Sequence, residues 1–529
     1  MNIARRTSSP ATPYAAASIL RIILCALRLC ALGVLAMLAP YSALNAQTAT
    51  INVLHSFAGP PGDGLAPISG LIQASDGNLY GTTPYGGSMD GNGVIYSITT
   101  SGQYAVFVDM VNPTFAPLMQ ASDGNFYGTT TGGAYGQGTL FELPPGGILT
   151  TIHTFDVNDG RIPLAGLTQG SDGNLYGTTD EGGAVPGTPD DGGTVFSITL
   201  GGGMFTLLHS FAGTDGENPL NCTLVEGSDG SFYGTTEAGG IHDAGTVFTI
   251  TPAGAFTSLH TFAGTDGGDP VGGLLLASDG NFYGTTEGGG ANTSTGSPAG
   301  TVFRMTPDGT LTTLYTFTGL DDGGTPECQL VEGKDGNFYG TTSRGAISNN
   351  GTVFVITPSG VLTTLHQFAG SPTDGGSPQN GLLLASDGNF YGTTHYGGAD
   401  NMGAVFQMIV TPASPPPLPK VTLEATVPDV TVGSGKHGEI TIKLSSVQTS
   451  PVLVHFAIEG SAINGKDYVL LTDTRQIPAG QMSKIIKITP KGDLGGATKK
   501  SVKLVLQPGK DYLRGSKIRA KVTIKREGR

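Results

Sequence analysis

The chain has 529 residues, with 85 glycines, no tryptophan, 13% charged residues and a formal net charge of −14. That length admits more than one domain, and so much glycine with so few charges excludes a protein built from long helices, which draw on Ala, Leu, Glu and Lys. Four cysteines, two of them near the N-terminus, exclude a disulfide framework.

Residues 1–46 read as an export signal. Arg5 and Arg6 precede an apolar run that Arg28 interrupts, and Leu29 to Ala39, its longest unbroken part, is shorter than the ~20 residues a bilayer span needs. Ala43-Leu44-Asn45-Ala46-Gln47 offers cleavage after Ala46, and retention as an N-terminal anchor is the alternative. Either way the expected location is extracytoplasmic: secreted, periplasmic or at the cell surface.

From Gln47 to residue 410 one unit returns. Ser75-Asp76-Gly77-Asn78-Leu79-Tyr80-Gly81-Thr82-Thr83 recurs with its Asp at Asp123, Asp172, Asp229, Asp279, Asp335 and Asp387, at spacings of 47, 49, 57, 50, 56 and 52. An apolar run precedes the Asp-Gly turn, which tolerates positive φ cheaply. A Phe- or Leu-Tyr-Gly-Thr-Thr strand follows the turn, then a Gly-rich loop, a Gly-Thr-Val-Phe-type strand and a Leu-His-x-Phe strand. Four short strands every ~50 residues is the period of a propeller blade. The Leu-His-x-Phe strand at Ile51–Phe57 precedes any complete unit and none follows Met408, so the N-terminal strand is expected to complete the last blade of a seven-bladed β-propeller. The second unit departs most, with Val108 and Met110 in place of His and Phe.

The Asp-Gly-Asn-x-Tyr-Gly-Thr-Thr core and the Gly-Thr-Val-Phe strand at Gly193, Gly245, Gly300 and Gly351 resemble the tandem repeat of bacterial GloVer-repeat proteins. The resemblance implies an exported, surface-associated protein and brings no catalytic residues.

Strand parity puts the Asp-Gly turns on one face of the disc and the Gly-rich loops and crossovers on the other. The second face is expected to be the acidic binding face. It carries Asp63, Asp90, Asp156, Asp159, Asp180, Glu181, Asp190, Asp191, Asp215, Glu217, Glu237, Asp243, Asp266, Asp269, Glu287, Asp321, Asp322, Glu327, Asp374 and Asp400 against Arg161 and Arg344. Variable loops on a rigid scaffold are where binding usually resides.

Residues 411–419, with five prolines, read as a stiff linker. Residues 420–529 then hold 19 Lys and Arg against 9 Asp and Glu, while residues 47–419 hold 4 against 32. About seven alternating strands in this segment predict a β-sandwich. Gly460-Ser461-Ala462-Ile463-Asn464-Gly465-Lys466-Asp467-Tyr468 and Ile477-Pro478-Ala479-Gly480-Gln481 resemble a Calx-β domain. That resemblance implies Ca²⁺ held by clustered acids, but Asp467 and Asp493 supply too few oxygens for a cation that takes 6–8 ligands, so no calcium is expected there.

The candidate side chains have structural readings. His55, His153, His209, His260 and His366 lie on different blades, too far apart to share a metal, and are expected to pack between blades. Cys222 and Cys328, each seven residues before its turn Asp, are expected to be buried free thiols. The turn aspartates should cap their own hairpins. Asp156-Val157-Asn158-Asp159-Gly160 is the loop where calcium is weighed against plain turn chemistry. No catalytic, cofactor or metal-ligating residue is assigned, and Gly-x-Ser-x-Gly, His-Glu-x-x-His, Walker and Cys-x-x-Cys motifs are absent from the sequence. The expected function is a monomeric exported binding protein with a glycan or protein ligand on the acidic face. No nucleic-acid partner is expected, because an acidic surface repels phosphate. The basic segment is expected to associate with the envelope. The alternative is a propeller lyase or hydrolase acting on an extracellular polymer.

Overall fold

The computed structural model describes residues 47–88, 91–183, 192–291, 299–411, 418–448, 451–492 and 494–526. The signal segment, most of the proline-rich linker, and Asp90, Asp190, Asp191 and Asp493 lie outside the described residues. The chain divides into two compact units, Gln47–Pro412 and Ala413–Arg529. Among the described residues both are all-β apart from a single 3-10 turn at Leu200–Gly202.

The first unit holds seven four-stranded antiparallel sheets. In sheets 1 to 6 the chain runs from an inner two-residue strand outward. Sheet 1 comprises Ile72–Gln73, Leu79–Thr83, Val94–Ile98 and Tyr104–Asp109, and sheet 3 comprises Thr168–Gln169, Leu175–Thr179, Thr194–Ile198 and Phe205–Ser210. Sheets 2, 4, 5 and 6 repeat this order with second strands at Phe126–Thr130, Phe232–Thr236, Phe282–Thr286 and Phe338–Thr342. Sheet 7 is assembled from both ends of the unit: Leu383–Leu384, Phe390–Thr394 and Ala404–Thr411 are joined by Thr48–Ser56, which pairs with the last of them.

Each residue of the repeated motif has a structural task. The turn Asp takes the backbone N–H two residues on and the tyrosine hydroxyl four on, as Asp172 does with Asn174 (3.0 Å) and Tyr176 (2.8 Å). The glycine lets the aromatic of the third strand lie against the backbone: a Cβ on Gly177 would stand 2.6 Å from Phe196 Cζ. The first Thr donates to a carbonyl of the next sheet's entry segment, as Thr82 does to Ala116 (3.1 Å), Thr285 to Cys328 (2.8 Å) and Thr341 to Asn380 (2.9 Å). The last of this series, Thr393, donates to Ser69 of sheet 1 at 3.0 Å. The second Thr shares a hydrogen bond with the Thr opening the third strand, for example Thr179 with Thr194 at 2.8 Å.

Seven apolar clusters fill the spaces between consecutive sheets, and one of them joins Ala385, Tyr391 and Val405 of sheet 7 to Leu71, Leu79 and Val94 of sheet 1. The motif tyrosine stacks on the next sheet's aromatic, as with Tyr176 and Phe232 at 3.9 Å.

The apolar runs form inner strands of only two paired residues, shorter than their five-residue pattern suggests. The residues before them run as unpaired crossover and line an axial cavity.

In the second unit a four-stranded sheet runs Ser483–Ile488, Gly438–Leu444, Lys420–Val427, Leu513–Arg514. A five-stranded sheet runs Asp429–Thr431, Arg519–Lys525, Lys499–Leu506, Val452–Glu459, Thr474–Ile477. Alternate residues such as Ile440, Ile442, Val502, Leu504 and Val522 share one core between the two sheets.

Candidate functional site at the axial cavity

Crossovers and Gly-rich loops meet through short bridges, Gly64–Leu65 with Tyr85–Gly86, Arg161 with Glu181, Glu217 with Ala238, and Gly324 with Arg344. These place both loop sets on one face, as parity required.

The acids of this face divide by task. Asp63, Asp159, Asp215, Asp266 and Asp374 each bond the imidazole of their own outer strand, with distances from His55 (3.1 Å), His153 (3.0 Å), His209 (3.0 Å), His260 (2.9 Å) and His366 (2.8 Å). Asp322 does the same for Tyr315 at 3.0 Å. The second oxygen of Asp215 accepts the N–H of Ala212, and that of Asp266 the N–H of Ala263. These aspartates are latches that close the crossover, so their carboxylates are engaged within the fold. In the Asp156–Gly160 loop both carboxylate oxygens of Asp159 and one of Asp156 are engaged, with His153, Asp156 N and Asn158 N.

Three of the five histidine rings stack flat on the next sheet's outer strand: His55 on Tyr104 at 3.7 Å, His153 on Phe205 at 4.0 Å, His209 on Phe256 at 3.9 Å. A register slip turns each imidazole toward its latch; Val195 opposes His209 while Phe196 opposes Leu207. Cys222 and Cys328 are buried free thiols that accept the N–H of Thr235 (3.0 Å) and Thr341 (3.2 Å), and burial pushes both up to about 11.

Sequence reasoning did not single out the side chains that meet at the cavity shared by the seven sheets. A cavity of 610 Å³ is lined by residues entering or forming the inner strand of all seven sheets, among them Leu71, Leu118, Leu167, Thr223, Leu275, Glu327 and Leu382. At its loop-face end a second space of 260 Å³ is lined by crossover residues Ile68, Phe115, Leu164, Asn221, Val271, Glu327 and Gln379, together with Glu287. The residue after Thr-Thr starts each Gly-rich loop, and in sheets 3, 4 and 5 it is Asp180, Glu237 and Glu287.

These carboxyls influence one another. Burial, then the charges of Asp180, Glu287, Asp269 and Glu327, push Glu237 up to about 7. Burial and Glu287 push Glu327 up to about 7 against a 2.6 Å hydrogen bond from Ser343. Burial and Glu181 push Asp180 up to about 6. The signal in the sequence was the acid after Thr-Thr in three consecutive units, lost among the other loop acids.

A family model described as the Gloeobacter/Verrucomicrobia repeat matches residues 41–188 and 184–406. The chain belongs to that family. No curated protein matches the repeat chain. Among solved structures it is similar to an auxiliary nutrient binding protein from Bacteroides ovatus at 13% identity, covering 69% of this chain and 77% of that one, with a TM-score of 0.36. It is also similar to the polysaccharide lyase PL25-Ulvanlyase at 10% identity, covering 74% and 93%, with a TM-score of 0.33. The apo-form Calx CBD1 domain aligns at 16% identity over 21% of this chain and 99% of its own, with a TM-score of 0.18.

In the second unit the position where the Calx-β resemblance looked for a metal ligand is internally neutralised. Asp467 is buried, accepts the N–H of Ile463 at 2.6 Å, and is ion-paired with Lys500 Nζ at 2.9 Å. Its hydrogen bonds and that ammonium hold the carboxyl below the usual aspartate range.

Proposed function

We propose that this protein is an exported binding protein whose first unit is a closed seven-bladed propeller, with its ligand taken at the loop-face mouth of the axial cavity. Support for closure comes from the bond of Thr393 to Ser69, the apolar cluster shared by sheets 7 and 1, and the lining of one cavity by all seven sheets. The observation that carries the site is the mouth itself, where Glu287 and Glu327 stand beside Asn221 and Gln379 above an apolar shaft. A few convergent polar groups over an apolar concavity is the usual form of a ligand site. Carboxyl and amide groups in that setting suit a hydroxyl-rich ligand, so a glycan chain end is the favoured occupant. The second unit is read as a Calx-β-like sandwich that does not depend on calcium.

The test is thermal denaturation of the intact chain against neutral oligosaccharides. Binding raises the melting temperature by mass action, and the rise is expected to vanish in Glu287→Gln/Glu327→Gln. No ligand in the panel raising it, or a rise that survives the double substitution, overturns the reading.

One observation favours the alternative reading, a lyase or hydrolase: carboxyls poised near neutrality in a cleft are what a general acid or base requires. Release of new chain ends from a polysaccharide, abolished by Glu327→Gln, would decide for it.

A further inference from the structure

The two sheets of the second unit treat their outward charges differently. On the four-stranded sheet opposite charges face each other: Glu439 stands across from Lys487, and Lys443 bridges to Glu424 at 2.6 Å. That is the ordinary arrangement of a solvated sheet face.

On the five-stranded sheet like charges are set directly opposite. Lys499 pairs in register with Lys525 and Lys503 with Lys521, while Ser501 stands opposite Thr523 between them. Their alternate neighbours Val502, Leu504, Val522 and Ile524 are in the core, so these side chains share the outer face. Arg519 continues the row one step past Lys521. Lys525 is bridged to Asp429 at 3.2 Å and Lys503 to Glu459 at 3.0 Å. Lys499, Lys521 and Arg519 have no ion-pair partner among the described residues.

Cross-strand cation pairs destabilise a sheet; Asp429 and Glu459 each neutralise one lysine of a pair, which leaves Lys499, Lys521 and Arg519 as a row of uncompensated charges. We propose that this face binds a linear anionic polysaccharide bearing carboxylate or sulfate groups. The two lysine pairs lie about 13 Å apart, four strand residues at ~3.3 Å each. The Ser501–Thr523 pair between them offers hydroxyls to the sugar ring that joins successive anionic groups. A bilayer is a poorer fit, because neither strand carries an exposed large apolar residue to enter it. Nucleic acid is a poorer fit because no aromatic side chain lies on these two strands for a base to stack on.

The proposal is independent of the axial site, and its test separates the two. Binding of the intact chain to polygalacturonate and heparin is measured from about 50 to about 500 mM salt, beside vesicles of phosphatidylserine and phosphatidylcholine. Affinity for the soluble polyanions is expected to fall steeply with salt, and about tenfold in Lys503→Gln/Lys521→Gln. Lys443→Gln/Lys487→Gln on the other sheet removes the same charge and is expected to change affinity less than about twofold. Removing the facing lysines relieves their repulsion but also breaks the exposed Lys503–Glu459 bridge, so the melting temperature of the first variant should change little. Equal losses in both variants, no binding at low salt, or binding to vesicles alone overturns the proposal.

Discussion

Tyr96 occupies the position that sheets 2 to 7 give to Phe141, Phe196, Phe248, Phe303, Phe354 and Phe406, and its buried hydroxyl has no hydrogen-bond partner among the described residues. An unmet buried hydroxyl costs about 1–3 kcal/mol, and replacing it with the apolar isostere removes that cost. Tyr96→Phe is therefore expected to stabilise the first unit by about 1 kcal/mol, read as a higher urea midpoint with an unchanged m-value; a lower midpoint would show that the hydroxyl is satisfied in solution. At this scale the sequence was legible wherever a residue's task was local. The turn aspartates and free thiols could be read directly, because their partners lie within a few residues or on an adjacent strand. The histidine latches could not. Asp215 lies six residues from His209 in a segment whose path only the register slip decides.

Among elements, the second strand of each sheet is the organiser. It is buried along its full length, and its glycine sets how near the third-strand aromatic comes to the axis. A methyl group on Gly177 would meet Phe196 at 2.6 Å and Leu167 at 2.8 Å. Gly177→Ala is expected to cost about 1–3 kcal/mol by overpacking, measured by denaturant unfolding. Gly177→Ala combined with Phe196→Leu should recover part of that loss, and no recovery would point to backbone strain instead. The Thr48–Ser56 strand works on the same scale, because it covers the outer edge of Ala404–Thr411 and so leaves sheet 7 without an unpaired neighbour there.

For the whole first unit, the clustered carboxyls predict a pH dependence whose sign follows from linkage. Glu237 and Glu327 have folded values of about 7 against an ordinary 4.5, so between those values the folded chain holds more protons than the unfolded one. Stability is then greatest at the acid end of that window and declines as pH rises through it. The melting temperature is expected to drop by a few degrees from pH 5 to pH 8, and Glu237→Gln/Glu327→Gln should flatten the profile. A flat profile in the parent chain would mean that these carboxyls ionise as freely as exposed ones.

Local chemistry was determined by the sequence alone: seven Asp-Gly hairpins, buried Tyr-Gly-Thr-Thr strands, an outer strand supplied from the N-terminal side, and a second segment of opposite charge. Each follows from alternation, turn residues or count, which depend on neighbours a few positions away. Tertiary structure decided which acids are spent and which remain, because that depends on groups brought together from different units. It tied Asp63 and its counterparts to imidazoles, brought Asp180, Glu287 and Glu327 within electrostatic reach of Glu237, and set Lys503 against Lys521. The carboxyl cluster joins residues from different repeats, while the latches, though only six to eight residues apart, depend on the register slip that turns the imidazole toward its aspartate.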